Sequence, residues 1–265
     1  MPGIDCMLQK HYAFITLLAL LALPAITLPA PPATREIYEI KVYRYKTVGQ
    51  EKLVDDYLQY ALLPSLHKAG IATLGVFKPI ANDTAADKIT YVFIPFKSLD
   101  QWHRLSVNPP AATGAAAAYA EALYSAAPYA RMESILLEAF PLAPQLQLPS
   151  LKGPHEEHIY ELRSYESATE KYNVSKVKMF NTGGEIGLFK RLGFNGIFYA
   201  QVLSGSHMPN LMYLTSFDNR QARDEHWKAF GDDAEWKKLK ALPEYQNNVS
   251  KAEVVLCHAA PYSDL

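Results

Sequence analysis

Ile37-Tyr38-Glu39-Ile40-Lys41-Val42-Tyr43 returns about 120 residues later as Ile159-Tyr160-Glu161-Leu162-Arg163-Ser164-Tyr165, with apolar, acidic, basic and tyrosine positions in the same order. Three further blocks recur in step. His67-Lys68-Ala69-Gly70-Ile71 corresponds to Lys190-Arg191-Leu192-Gly193-Phe194, and Tyr91-Val92-Phe93-Ile94-Pro95-Phe96 to Met212-Tyr213-Leu214-Thr215-Ser216-Phe217. Glu133-Ser134-Ile135-Leu136 corresponds to Glu253-Val254-Val255-Leu256. Ordered blocks at near-constant spacing imply an internal duplication, and two copies are too few for a solenoid.

Each copy reads as the same series of elements. Period-two alternation predicts a first strand over 37–46 and again over 158–166. In the first copy Leu53, Val54, Tyr57, Leu58, Ala61, Leu62 and Leu66 recur at helical spacing, and Gly70 is a natural stop. In the second the helix is expected over 172–192, weakened at Gly183-Gly184. Strands are predicted over 72–80 and 88–96, and over 195–203 and 210–217. A second helix and a final strand, at 131–140 or 250–258, complete each unit. The order βαββαβ is that of a ferredoxin-like unit, whose helices cover one sheet face. The other face needs a cover, and the second copy is the nearest one. The expected fold is therefore α+β, with two tandem ferredoxin-like units packed sheet to sheet as a pseudo-dimeric α/β barrel. The expected division is a leader over 1–33, a first domain over 34–140, a Pro-rich linker over 141–155 and a second domain over 156–265.

Ahead of the repeat, Lys10-His11 precedes an apolar run from Ala13 to Leu23 and then Pro24, Pro29 and Pro32 among small residues. That is the order of a secretory signal peptide, short of the ~20 apolar residues that a membrane span needs. The alternative is a retained anchor. Met7 is a second candidate start, and a chain begun there would lack Cys6. Secretion or a periplasmic location is the expectation. Cys257 is then the single cysteine of the mature part, so the protein relies on its core rather than on disulfides. Asn82, Asn173 and Asn248 stand in glycosylation sequons.

With 49% hydrophobic and 12% aromatic residues the chain is that of an ordinary globular protein, and 26 basic against 27 acidic residues leave a net charge of −1. No net field is available for nucleic acid or an anionic membrane. Neither is expected as a partner. An internal duplication can satisfy a dimer interface within one chain, which favours a monomer.

The strand Tyr160–Tyr165, the block Lys190–Phe194 and above all His226-Trp227-Lys228-Ala229-Phe230-Gly231-Asp232-Asp233-Ala234-Glu235-Trp236 resemble the NIPSNAP family. The resemblance spans both copies and is stronger in the second. In the first, Ala- and Pro-rich sequence from Asn108 to Ala118 replaces the tryptophan-bearing block. The resemblance implies a dimeric α/β-barrel fold shared with small cofactor-free monooxygenases and haem-degrading proteins, and no settled activity.

For chemistry, alternation separates Tyr38, Ile40 and Val42 from Glu39, Lys41 and Tyr43, and Tyr160, Leu162 and Ser164 from Glu161, Arg163 and Tyr165. If the apolar sets pack under the helices, the acid-base-tyrosine sets face the enclosed barrel. Glu39, Lys41, Tyr43, Glu161, Arg163 and Tyr165 are then the expected ligand-binding residues, with His226 and Trp227 at the pocket mouth; a structural ion-pair layer is the competing reading. Trp227, Phe230 and Trp236 read as core packing on one helix. His155-Glu156-Glu157-His158 lacks a helix to place both imidazoles on one face, so no metal site is expected. No phosphate loop, dinucleotide fingerprint or nucleophile motif occurs, and no cofactor is expected. The leading expectation is a module that binds a small molecule or a partner. A cofactor-independent monooxygenase is the alternative, requiring a cavity of a few hundred Å3 lined by Tyr43, Tyr165, Arg163 and Glu161. Haem binding through His158 or His258 is the third.

Overall fold

Alternation sets eight strands, and helical spacing sets what lies between them. A computed structural model describes residues 34–265, and the leader expected over 1–33 lies outside the described residues. β1 (Ile37–Tyr45) leads to α1 (Val48–Tyr57), capped by the Thr47 hydroxyl, which accepts from the Gln50 amide. The helix continues through a wider turn over Leu58–Leu62 into α2 (Leu63–Lys68). It stops at Gly70, whose φ of 85° needs a residue without a Cβ. β2 (Gly75–Pro79), β3 (Lys88–Phe96), α3 (Leu99–Ser106), the single turn α4 (Ala117–Ala120) and β4 (Arg131–Ala139) complete the first half.

The second half repeats the series: β5 (Ile159–Glu166), α5 (Glu170–Phe180), α6 (Glu185–Arg191), β6 (Asn195–Ser204), β7 (Asn210–Phe217), α7 (Arg220–Asp232), α8 (Ala234–Ala241) and β8 (Lys251–Ala259). Two helices expected to be single are divided. Gly184, at φ 97°, separates α5 from α6. Asp233 is extended and its carboxylate accepts from the Glu235 and Trp236 amides, so it caps a new helix, and Trp227 and Trp236 stand on successive helices. Among the described residues no helix is long and apolar enough to cross a membrane.

The strands form one closed antiparallel barrel in the order β1-β3-β2-β8-β5-β7-β6-β4. Each half contributes four neighbouring strands, β4-β1-β3-β2 and β8-β5-β7-β6. Rather than two sheets lying face to face, the halves join edge to edge, through β2 with β8 and β4 with β6. Closure leaves no free strand edge in the barrel.

The two faces of β1 and β5 are the reverse of the expectation. Tyr38, Ile40, Val42, Tyr160 and Leu162 share one core with Phe93 and Phe198, drawn from both halves, inside the barrel. Tyr43 packs with α1 and α2 in the first half's outer core, and Tyr165 packs beside Phe180 and Phe189 in the second's. The polar sets therefore lie under the helices. The interior takes the apolar face because it offers charged groups neither water nor partners, whereas a helix can bring a counter-charge.

The interior is filled. Phe93 stacks on Phe198 at 4.7 Å between centroids, Tyr38 tilts against both at 5.1 and 5.3 Å, and Phe77 meets Tyr160 at 4.9 Å. One end is stoppered by Leu146 and Leu151 of the linker and by Leu265. At that end the Glu36 carboxylate accepts from the Leu146 amide at 2.7 Å and from the Tyr38 hydroxyl at 3.2 Å. At the other end a cavity of about 50 Å3 remains above Val42, Leu162 and Met212, beside an Arg44–Glu133 ion pair of 2.9 Å.

All three sequon asparagines are buried. Asn82 donates to the Tyr45 hydroxyl and accepts from the Ile89 amide, Asn173 lies on the inner face of α5 and accepts from Gln201, and Asn248 donates to the Met179 sulfur of α5. None is accessible to a glycosyltransferase in the folded chain.

Candidate functional site

Glu161 is the centre of a buried polar network. It projects from β5 toward α7, whose N-terminus is fixed by Asn219, the side chain accepting from the Ala222 amide at 2.9 Å. That cap sets the helix phase, so Arg223 and Trp227, one turn apart, both reach the carboxylate. Glu161 Oε1 accepts from Arg163 Nε at 2.6 Å and Arg223 Nη2 at 3.2 Å; Oε2 accepts from Arg223 Nε at 2.7 Å and Trp227 Nε1 at 2.8 Å. A carboxylate offers about four lone-pair sites, and all are used. The Arg163 guanidinium also lies 3.7 Å from the centre of the Trp227 ring.

The network runs inward from there. Arg163 Nη1 donates to the Tyr165 hydroxyl at 2.8 Å, which lies 2.8 Å from the Tyr213 hydroxyl. Nearby, Lys176 donates to Glu185 at 2.8 Å with both groups buried, and its ammonium faces the rings of Phe180, Tyr165 and Trp236.

Electrostatics makes these groups steady rather than reactive. Burial alone would raise the Glu161 carboxyl, but hydrogen bonds from Arg223 and Arg163 and their charges hold it below the usual carboxylate range. Burial, reinforced by the Tyr165 oxygen, pushes the Tyr213 hydroxyl well above its ordinary value against the opposing Arg163 charge. Burial also lifts the Glu185 carboxyl, against the Lys176 ammonium. A locked carboxylate and a phenol held neutral at Tyr213 are poor proton acceptors near neutrality.

The structure brings Glu161, Arg163, Tyr165 and Trp227 together. It separates them from Glu39, Lys41 and Tyr43, which lie beneath the first half's helices. There Lys41 pairs with Glu39 at 2.9 Å and the Ser134 hydroxyl donates to Glu39 at 2.6 Å, while Tyr43 packs edge-on against Tyr129. His226 does not reach a pocket mouth. Its Nδ1 lies 2.7 Å from the Ala222 carbonyl and its ring packs on Phe194 and Phe217. Sequence reasoning missed Arg223, although its helical spacing from Trp227 was a usable signal. It also missed Tyr213 and the Lys176–Glu185 pair, because alternation gives no measure of depth beneath a helix.

The histidines proposed for haem are held by backbone. His158 is buried with Nε2 3.2 Å from the Lys152 carbonyl, and His258 Nδ1 lies 3.0 Å from the His158 carbonyl. Among the described residues no group of three His, Cys, Asp or Glu side chains is arranged to hold a metal ion. Cys257 is buried in the barrel, where burial raises its thiol far above the ordinary value.

The strand with Glu161 and Arg163 and the helix with Trp227 both fall within residues 160–264, which one family model matches. That model is the NIPSNAP family's. A NIPSNAP family protein from Agrobacterium tumefaciens aligns over 41% of this chain and 98% of its own, at 18% identity and a TM-score of 0.36. Over the larger span, two structures share the barrel. One, from Fusobacterium nucleatum and provisionally assigned as a monooxygenase, gives a TM-score of 0.55 at 7% identity over 85% of this chain and 93% of that one. The other, from Lactobacillus acidophilus and assigned in the same way, gives 0.52 at 11% identity over 85% and 94%. At these identities the likeness is one of fold. No curated protein matches the sequence significantly.

Proposed function

We propose that this chain is an exported, monomeric binding module without catalytic activity, built from two tandem ferredoxin-like units of which the second is the NIPSNAP domain. The matching strand orders of the halves and the recurring sequence blocks support the tandem reading. The leader-like N-terminal sequence motivates export. Each half supplies the other's missing interface, which motivates the monomer.

One observation carries the non-catalytic reading. The polar set with the best claim to chemistry has every acceptor site of Glu161 occupied by protein donors. It borders packed aromatic rings rather than a substrate-sized space. The barrel interior is equally closed, since its remaining 50 Å3 or so has room for one or two waters at ~30 Å3 each, against ~300–1,000 Å3 for a ligand site.

The monooxygenase alternative draws on the fold likeness, which carries no activity across by itself. Oxygen uptake by the purified chain with a panel of hydroxylated polycyclic aromatics separates the two readings. No substrate-dependent uptake is the expected result. Uptake that disappears in Arg163→Gln would overturn the proposal. A haem titration without a Soret band is expected for the same reason, and light scattering should give the mass of one chain.

A further inference from the structure

The linker is tied down along β6. The Phe140 amide donates to the Tyr199 carbonyl at 2.9 Å, the Gln147 amide to the Ile197 carbonyl at 2.9 Å, and the Ser150 amide to Asn195 Oδ1 at 3.2 Å. Between these tethers the linker and the second half enclose a groove of about 310 Å3. Its wall is apolar, with Ile186 and Phe194 facing Leu148 of the linker. At roughly 30 Å3 per water-sized share, it has room for about ten heavy atoms.

Two polar groups converge on this wall without a protein partner. Tyr199 is 95% buried, its side chain 5% exposed, and its hydroxyl makes no hydrogen bond to any described residue. The hydroxyl occupies the place a side chain at Gly196 would take, 2.1 Å from where a Cβ would stand, and the register shift between Gly196 and Phe198 sets it there. Burial and the nearby Glu185 carboxylate raise this hydroxyl above its ordinary value, so it is a donor. Lys190, exposed at the end of α6, lines the same groove and forms no ion pair among the described residues. Tyr199 lines the groove, where a ligand oxygen would accept from its hydroxyl.

We propose that the linker groove binds a small amphipathic monocarboxylate, its apolar body on Ile186, Phe194 and Leu148 and its carboxylate between the Lys190 ammonium and the Tyr199 hydroxyl. An apolar pocket with a few convergent polar groups is the usual form of a small-molecule site. The proposal rests on the reading of the chain as a binding module and names its ligand class.

Octanoate has about the ten heavy atoms that the groove accommodates, and calorimetric titration of the full chain with octanoate, octanol and octylammonium is the test. Octanoate should bind about tenfold or more tightly than octanol, and octylammonium should not bind. Lys190→Gln, at an exposed position, should weaken octanoate about tenfold and leave octanol unchanged. Tyr199→Phe should weaken both, and Gly196→Ala should displace the hydroxyl and have the same effect. No octanoate binding at millimolar concentration, octylammonium binding as tightly, or unchanged affinity in Lys190→Gln would overturn the proposal. Should Tyr199→Phe or Gly196→Ala fail to fold, Lys190→Gln still decides. Failure here leaves the oxygen-uptake test intact, so the two readings fall separately.

Discussion

The halves begin from the same strand and finish it differently. In the first, Glu39 is served by Lys41 and the Ser134 hydroxyl; in the second, Glu161 is served by Arg163, Arg223 and Trp227. The difference lies in the helix that follows. α3 and α7 start from equivalent caps, Ser98 and Asn219. At the fourth and eighth positions beyond them α7 carries Arg223 and Trp227, whereas α3 carries Trp102 and Ser106. Trp102 Nε1 and the Ser106 hydroxyl are buried and unpartnered. A repeated strand has thus kept its charge in both halves, while the groups that neutralise it from above exist in one.

Removing the carboxylate should expose this contrast most strongly. Glu161→Ala leaves two guanidinium groups without their shared acceptor and should cost about 3–5 kcal/mol. Glu39→Ala, which strands one lysine with access to water, should cost about 1–3 kcal/mol. Urea denaturation of the two variants measures both, and equal losses would erase the distinction. Trp227→Phe keeps an aromatic ring but deletes a donor to a charged acceptor, and about 1.5–3 kcal/mol of stability should go with it.

Acid provides a sharper version of the comparison. Because its arginine partners hold Glu161 below the ordinary carboxylate value of 4.5, this group adds stability above that pH. The contribution is lost as pH falls through the depressed folded value. Wild type should therefore lose stability more steeply than Glu161→Gln below about pH 4.5. Parallel curves would show that the carboxyl does not couple to folding. The smallest effect belongs to the first half. Ser106→Ala removes an unpaired hydroxyl from a helix and should stabilise by up to about 1 kcal/mol; a destabilised variant would reveal a partner for that oxygen.

The strands and the helix stop at Gly70 were legible because alternation and a left-handed turn are local properties. The recurring blocks pointed to a barrel made by both halves, but as two sheets packed face to face, whereas the halves join edge to edge through β2 with β8 and β4 with β6. Which face of β1 turns inward was not legible. Tyr43 and Tyr45 are apolar bodies on the side that also carries Glu39, while Arg44 and Glu133 are charges on the inward side, placed where the barrel opens to water. Alternation reports that two faces differ and is silent on which the other half will cover. The break at Asp233 was readable as a cap ahead of Ala234, but the apolar spacing of Trp227, Phe230 and Trp236 suggested one continuous helix. The linker had no periodicity to read, and its anchoring by backbone amides left no trace in residue type.

That linker also changes the arithmetic of the barrel. Two identical subunits related by a twofold axis would present every surface twice. Here the strap after β4 crosses along β6 and continues covalently into the second half, whereas the segment after β8 is tied along β2 by the Ala260 amide to the Val76 carbonyl and the Asp264 amide to the Leu74 carbonyl, with Leu265 at the same barrel end. The two straps differ in residue type, since the linker carries Leu148 and Gln147 into its groove and the segment after β8 carries Ser263 and Asp264 onto β2, so the proposed ligand should bind at one per barrel where a symmetric pair would take two.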